Sequence, residues 1–393
     1  MSISKAGKMC CGCRTCINEC PTKAITFYND KYGFEYPGVD NPRCVDCGRC
    51  EAVCPVLNPH KNEAKVFTCG AAYALDEETK FNGSSGGLFG VFAKEIIECG
   101  GTVYGAAFDE HLKLKTTSAE THDDLIPLYK SKYLLCDTND AFVRIKEDLD
   151  KKKIVLYCSS PCQIAALKLY LKKEYDNLFT LDFVCHGVGS QKLFDESIAY
   201  SEKRLHAKIR KVILRYKAKN ASSHYYYYYY CERKGEYFEK KDLYLSFPYY
   251  NAYCKQIVCR DSCYACQYAT KERSGDITIA DFHTIQKYNK KIDRFAGVSM
   301  LLVNTRQGAM LLQRVCDKLY IERMDKEILY ADNRFSDEVV IPSQREEFMK
   351  SVAEEDFEVT VRRFLLPRKD WIKLIYYNAP KWLRNIAVKL MGE

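Results

Sequence analysis

Cys10-Cys11-Gly12-Cys13-Arg14-Thr15-Cys16-Ile17-Asn18-Glu19-Cys20-Pro21 is followed by Cys44-Val45-Asp46-Cys47-Gly48-Arg49-Cys50-Glu51-Ala52-Val53-Cys54-Pro55. Each block reads Cys-x2-Cys-x2-Cys-x3-Cys-Pro, and each cysteine of the second lies 34 positions after its counterpart. This is an internal duplication. Nine of the chain's 21 cysteines fall between Cys10 and Cys54. The N-terminus lacks the apolar core of a secretory signal, so the thiols read as metal-binding or redox groups of a cytoplasmic protein rather than as disulfides.

Three cysteines at three-residue intervals wrap a short loop around one cluster, and the fourth, before proline, is carried away to ligate the other. Structural zinc is the competing reading. It wants four cysteines in two pairs, which leaves the doubled set of eight unexplained. The pattern resembles a bacterial two-cluster ferredoxin. That resemblance implies one [4Fe-4S] cluster on Cys10, Cys13, Cys16 and Cys54 and a second on Cys44, Cys47, Cys50 and Cys20. Cys11 is an extra thiol, for which a small packed residue is favoured over a spare ligand. Between the blocks, Ala24–Phe27 and Gly33–Tyr36 predict a hairpin.

The whole chain has 393 residues, 47% apolar and 28% charged, enough to bury a sizeable core. No apolar run approaches the roughly 18 residues that span a bilayer. The formal charge of +8 counts thiols as neutral; two loaded clusters, each about −2, lower it to about +4. With the basic residues scattered, nothing favours a nucleic-acid partner.

A polar stretch near Asn58–Glu63 predicts a linker, which divides the chain into residues 1–64, 65–330 and a C-terminal helical extension, 331–393. Within the middle part, Thr102–Phe108, Ile154–Cys158, Leu178–Cys185, Asp276–Ala280 and Val298–Val303 read as strands. Leu88–Cys99, Ala141–Asp150, Pro161–Tyr175 and Gln307–Tyr320 read as helices. The alternation predicts an α/β domain with a mixed sheet, so the chain as a whole is α+β. Pro161 suits a first helical turn, which places Cys162 at a helix N-terminus where a thiol pKa falls. Asn82-Gly83-Ser84-Ser85-Gly86-Gly87 opens onto a helix and can approach a pyrophosphate closely, although an ordinary glycine turn is the favoured reading of the loop alone.

Cys254, Cys259, Cys263 and Cys266 form a further cysteine group. A third [4Fe-4S] cluster involving Cys263 and Cys266 is the less favoured reading, because a lone Cys-x2-Cys is weak. Tyr225–Tyr230 predict an antiparallel strand pair continuing through Tyr237-Phe238. His186, at the end of a predicted strand, is the best-placed histidine, and His283 is second. Pro367–Glu393 carries two basic amphipathic pieces. Packing on the domain is favoured for them over peripheral membrane contact.

From residue 66 onward the segments resemble, in order, the coenzyme F420 hydrogenase/dehydrogenase beta-subunit family. They include Ser84–Gly87, Ser131-Lys132-Tyr133, Ser160–Gln163, Asp182–Gly187, Arg215-Tyr216-Lys217, Cys263–Cys266, Arg273 with Asp276–Thr278, Asp281-Phe282 and Gly297–Ser299. The resemblance implies FAD in the larger domain and iron–sulfur clusters exchanging electrons with it. On that basis Ser84, Ser85, Gly86, Gly87, Lys132, Asp276, Thr278 and Asp281 would bind the flavin. Cys162, Gln163 and His186 would line its reacting face. The expected donor is a ferredoxin or another low-potential carrier, and the expected acceptor is an organic molecule or deazaflavin; a non-catalytic relay subunit is the alternative. Where the family often has Gly-Asp-Phe-Trp-Gly, this chain has Ala280-Asp281-Phe282-His283-Thr284, and Gly189 replaces a frequent proline. Both departures count against F420 itself as substrate.

Overall fold

The two cysteine loops fold alike because their backbones turn alike. Gly12 (φ 72°) and Asp46 (φ 50°) are left-handed, and so are Arg14 (φ 57°) and Gly48 (φ 72°). These are matched positions of the repeat, with glycine and a side-chain residue exchanged between copies. Such alternation turns successive amides to one side, the backbone nest that binds anions and iron–sulfur groups. Arg14 adopts a conformation that L-residues disfavour, and its side chain is held by Glu35 and by Asp137 at 3.0 Å. Short helices follow, Thr15–Glu19 and Arg49–Ala52. Strands β1 (Ile25–Asn29) and β2 (Glu35–Val39) pair antiparallel between the loops, as the sequence predicts.

The computed structural model describes residues 3–62, 65–217, 226–292, 297–332, 335 and 339–366. The two amphipathic pieces read in Pro367–Glu393 lie outside them, as do His224 and Tyr225.

Beyond the ferredoxin-like part lies an eight-stranded mixed sheet. Its strands are β3 (Thr68–Ala74), β4 (Thr102–Phe108), β5 (Leu114–Ala119), β6 (Val155–Ser159), β7 (Leu178–Phe183), β11 (Ile277–Asp281), β12 (Ser299–Val303) and β13 (Leu319–Arg323), in the order β13-β3-β12-β11-β7-β6-β4-β5. The run β4, β6, β7, β11 is parallel, and every other pairing is antiparallel. Both faces are covered, so alternate residues meet different helices. Val103, Leu156 and Phe179 pack with Phe92 and Ile96 of helix Leu88–Glu98 and Leu311 of helix Arg306–Val315. Tyr104, Val155, Tyr157 and Leu178 pack with Phe142 and Ile145 of helix Ala141–Asp150 and Ile164 and Leu167 of helix Pro161–Leu171.

Strands β8 (Lys208–Leu214), β9 (Tyr226–Arg233) and β10 (Glu236–Leu243) form a separate antiparallel sheet. The tyrosine run is its central strand. Tyr227 and Tyr229 are buried, while Tyr228 stacks on Tyr216 and Tyr230 on Tyr237 on the other face. The helix expected over Gln307–Tyr320 ends at Val315, and its last residues begin β13. Helix Pro161–Leu171 likewise stops before Tyr175, with Lys172 left-handed as its cap. Among the described residues no helix is long and apolar enough to cross a membrane.

Candidate functional site

The eight thiols of the repeat sort into two groups across the duplication. Cys20, from the first block, lines one small cavity with Cys44, Cys47 and Cys50. Cys54, from the second, lies with the first block. Its thiol is pushed up to about 11 by burial and then by Cys13 and Cys10, and Cys16 is raised by burial and by Cys13, Cys10 and Cys54. Backbone amides point at these sulfurs, Gly12 N–H donating to Cys10 Sγ at 3.4 Å and Ala24 N–H to Cys20 Sγ at 3.3 Å. Arg260 is fully buried beside the first group. It donates to the carbonyls of Cys10 and, at 2.6 Å, Glu35, and it stacks 4.2 Å from the Tyr36 ring centroid. Its Nη1 makes no hydrogen bond among the described residues, and a Cβ on Gly12 would lie 3.6 Å from it.

A second, larger cavity of about 500 Å³ opens at the carboxyl ends of β6, β7 and β11, where α/β sheets bind ligands. One end is thiol-rich: Cys162, Cys185, Cys263 and Cys266 all line it. Burial raises Cys185 most, followed by the charges of Cys263, Cys162 and Cys266. Gly187 lets this end close. Its φ is +98°, and a Cβ there would sit 2.6 Å from Cys259 Sγ. Cys162 does have a lowered pKa, as its helix-start position predicts, but its hydrogen bond with Cys11 is the leading cause.

The other end is cationic. Lys130 and Lys217 hold the carbonyls of loop Gly83–Gly87, Lys132 bonds carbonyls of its own segment, and among the described residues all three donate only to carbonyls. Lys130 Nζ reaches Phe81 O at 2.6 Å and Gly83 O at 3.0 Å, Lys132 Nζ reaches Leu128 O and Tyr129 O, and Lys217 Nζ reaches Lys80 O and Ser85 O. Burial pulls each ammonium down to about 7. The nearby carboxylate, Asp281, is taken by Arg215 in a two-pronged pair at 2.6 and 2.9 Å. Tyr133 stacks on Tyr253, and both line the cavity.

Of the residues expected at a flavin site, Ser84, Ser85, Gly87, Lys132, Asp281, Cys162, Gln163 and His186 line this cavity, as does His283. Gly86 is buried behind the loop, its amide donating to Ser299 Oγ. Asp276 and Thr278 are not in the lining. Asp276 accepts from Thr180 and Thr305, and Thr278 donates to Asp182, which tie strand ends together inside the core. Gln163 is also committed inward, donating to Cys136 O at 2.7 Å. Lys130 was missed. It lies next to the quoted Ser131-Lys132-Tyr133, but a lone lysine in a loop carries no signal of burial. Lys217 and Arg215 were in the resembling segments without a role.

Residues 9–58 match the family model of the 4Fe-4S dicluster domain, and residues 152–327 match that of the C terminus of the coenzyme F420 hydrogenase/dehydrogenase beta subunit. The chain is similar to that beta-subunit family, with a dicluster domain at its N-terminus. Both parts of the resemblance are therefore borne out. Among solved structures, a chain of the F420-reducing [NiFe] hydrogenase complex from Methanosarcina barkeri, studied by xenon derivatization, is similar at 16% identity and a TM-score of 0.44; the match covers 77% of this chain and 95% of that one. Among curated proteins nothing matches. The two family matches make this an iron–sulfur chain related to electron-transfer oxidoreductases.

Proposed function

We propose that the chain is an iron–sulfur flavoprotein oxidoreductase in which three groups of thiolates lead electrons to a flavin in the 500 Å³ cavity. The observation that carries this reading is the continuity of the thiols. Cys13, grouped with Cys10, Cys16 and Cys54, lies beside Cys11, Cys11 lies beside Cys162, and Cys162 shares the cavity with Cys185, Cys263 and Cys266. When bound, [4Fe-4S] clusters would carry electrons singly and FAD would exchange them in pairs, as hydride, with an organic acceptor.

The residues present fit these groups. Eight cysteines divide four and four across the repeat, and the orphan Nη1 of Arg260 beside Gly12 is a buried donor at the first cysteine loop that a cluster held there would suit. Cys162, Cys185, Cys263 and Cys266 supply four thiols for a third cluster. The weak sequence signal there is strengthened by their convergence from three separate segments. At the cationic end, Lys130 and Lys132 line the cavity and Lys217 lies behind the loop, each with only carbonyls as hydrogen-bond partners among the described residues, which suits a diphosphate. Ser84 and Ser85 would face the same group. Tyr133 and Tyr253 would wall the ring system, and His186 would hold a proton at its imidazole for the acceptor.

Anaerobic purification followed by iron, sulfide and flavin analysis tests this reading. About twelve irons and one flavin per chain are expected, with the flavin bleaching when a low-potential carrier is added. Full clusters without flavin would sink the hydride step and favour a relay subunit.

A further inference from the structure

The two cysteine loops match position for position in sequence, yet they are buried to opposite degrees. In the first, Cys10, Cys13 and Cys16 are all buried. Thr138 Oγ1 donates to Cys13 O at 2.8 Å, Arg260 donates to Cys10 O, and a Cβ on Gly12 would stand 2.9 Å from the Leu135 side chain. The large domain covers this loop. The second loop is turned outward: Cys47 is exposed where its counterpart Cys13 is buried, and Cys44 and Cys50 are half-buried. Val45, the counterpart of the Cys11 that lines the large cavity, is 62% exposed. The rim around it carries cations. Arg43 is 67% exposed. Arg49 and Lys172 are about half exposed and share Glu19 Oε1, at 2.7 and 2.5 Å, while Glu19 itself lies buried beneath them. Lys5 sits in the same way over Glu51 at 2.9 Å, and Lys23 is exposed just after Cys20. Within residues 40–50 the exposed carboxylates are Asp46 and Asp40, the latter paired with Arg43 at 3.3 Å.

We infer that the Cys44–Cys50 loop is the docking surface for an anionic one-electron carrier protein, with Val45 at its centre and Arg43, Arg49 and Lys172 on its rim. This deepens the electron-transfer reading above; it rests on the cluster assigned to Cys20, Cys44, Cys47 and Cys50 and not on the flavin. An anionic lipid surface would also suit cations around a valine. The exposed Cys47 in the middle of the patch decides for a redox protein, because electron exchange needs only that two redox groups come close. A small, transient interface below about 1,200 Å² does that. In the encounter one electron leaves the carrier and enters the group held by the loop, and no bond or proton changes. The buried loop adjoins the large cavity through Cys11, so the unequal burial of two equal loops gives the path an outer and an inner end.

The anaerobically purified, iron-loaded full chain is titrated with an acidic two-cluster ferredoxin by surface plasmon resonance, at about 50 and about 300 mM NaCl. Wild type should bind with a micromolar Kd that weakens about tenfold at the higher salt. Arg43→Glu and Val45→Asp should each weaken binding about tenfold at low salt, Arg43→Glu through slower association, and Lys172→Gln about threefold. Lys172 lies far in sequence from the cysteine ligands, so it keeps the test sound if Val45→Asp loses iron. Lys234→Glu, in the exposed turn between β9 and β10, should bind as wild type does. Wild-type affinity in the iron-replete Arg43→Glu and Lys172→Gln variants would overturn the inference. So would equal weakening by Lys234→Glu, or binding to phosphatidylglycerol vesicles in preference to the ferredoxin. A flavin-free chain that still binds the ferredoxin through this loop would sink the hydride reading and leave the docking surface standing.

Discussion

Cys20 and Cys54 are the residues on which the exchanged assignment can be tested most sharply. Both precede proline, both follow a short helix, and each belongs by position to the opposite half of the repeat. Replacing Cys20 by alanine should cost the cluster otherwise held by Cys44, Cys47 and Cys50, and leave the one on Cys10, Cys13 and Cys16. Cys54→Ala should do the reverse. Iron analysis should fall by about four per chain in each, and the two variants should lose different paramagnetic signals. A block-by-block arrangement would interchange the lost signals. The lysines of the cationic end give a second test, in pH. Lys130, Lys132 and Lys217 are each depressed to about 7 in the folded chain from an ordinary 10.5. Between those values the unfolded chain binds more protons than the folded one, so stability without a ligand should rise as pH increases from about 7 toward 10.5. A bound diphosphate favours the charged amines. Affinity for FAD should therefore weaken as pH rises through 7, measured by fluorescence titration at pH 6, 7 and 8.5, and Lys130→Met, which removes an amine of the cavity wall, should flatten that dependence.

Loops and strands differ in how openly they were written in the sequence. The cysteine loops were legible because ligand spacing is rigid chemistry, and their geometry repeats even where glycine changes places with Arg14 or Asp46. Thr102–Phe108 and Ala141–Asp150 were read to the residue, since one is a continuous buried strand and the other a clean amphipathic helix. Strand β3 escaped because Thr68–Ala74 is built from small residues. At Gly70 a Cβ would stand 2.0 Å from Glu322 O, so tight approach by β13 selects against the bulky side chains that announce a strand. Polar β5, at the sheet edge, escaped for the opposite reason. The thiol end of the cavity was barely visible, because its four cysteines come from a helix start, a strand end and a later loop whose meeting depends on the whole sheet. Two glycines separate strain from crowding. Gly48 is left-handed but has nothing within 4 Å of a Cβ, so Gly48→Ala should cost about 1 kcal/mol, the conformational term alone. Gly187→Ala adds the clash with Cys259 Sγ and should cost about 3 kcal/mol or more, with loss of the large-domain iron. Anaerobic thermal melts with iron analysis compare them.

Arg260 joins the two parts of the molecule and makes their association depend on what the first loop holds. It belongs to the segment that carries Cys259 and Cys263, yet its hydrogen bonds cross to Cys10 and Glu35 and its guanidinium lies over Tyr36. Gln267 and Tyr268 extend the same contact by donating to Pro55 O at 2.9 and 2.7 Å. A fully buried cation whose bonds go to neutral carbonyls is costly unless opposite charge is near. Four thiolates around iron would supply that charge: the Arg260 guanidinium already lowers Cys10 against the dominant effect of burial. Cluster loading and docking of the N-terminal part should therefore reinforce each other. Stripping the iron with chelator under mild oxidation should loosen the seam, seen as faster proteolysis near residues 58–66 and faster amide exchange at Gly12 and Glu35. Arg260→Met tests the coupling directly. With no buried cation to balance, the variant should dock less tightly when loaded, yet respond less to iron removal. Equal loosening of wild type and variant on stripping would separate docking from the cluster, and the seam would then be held by packing alone.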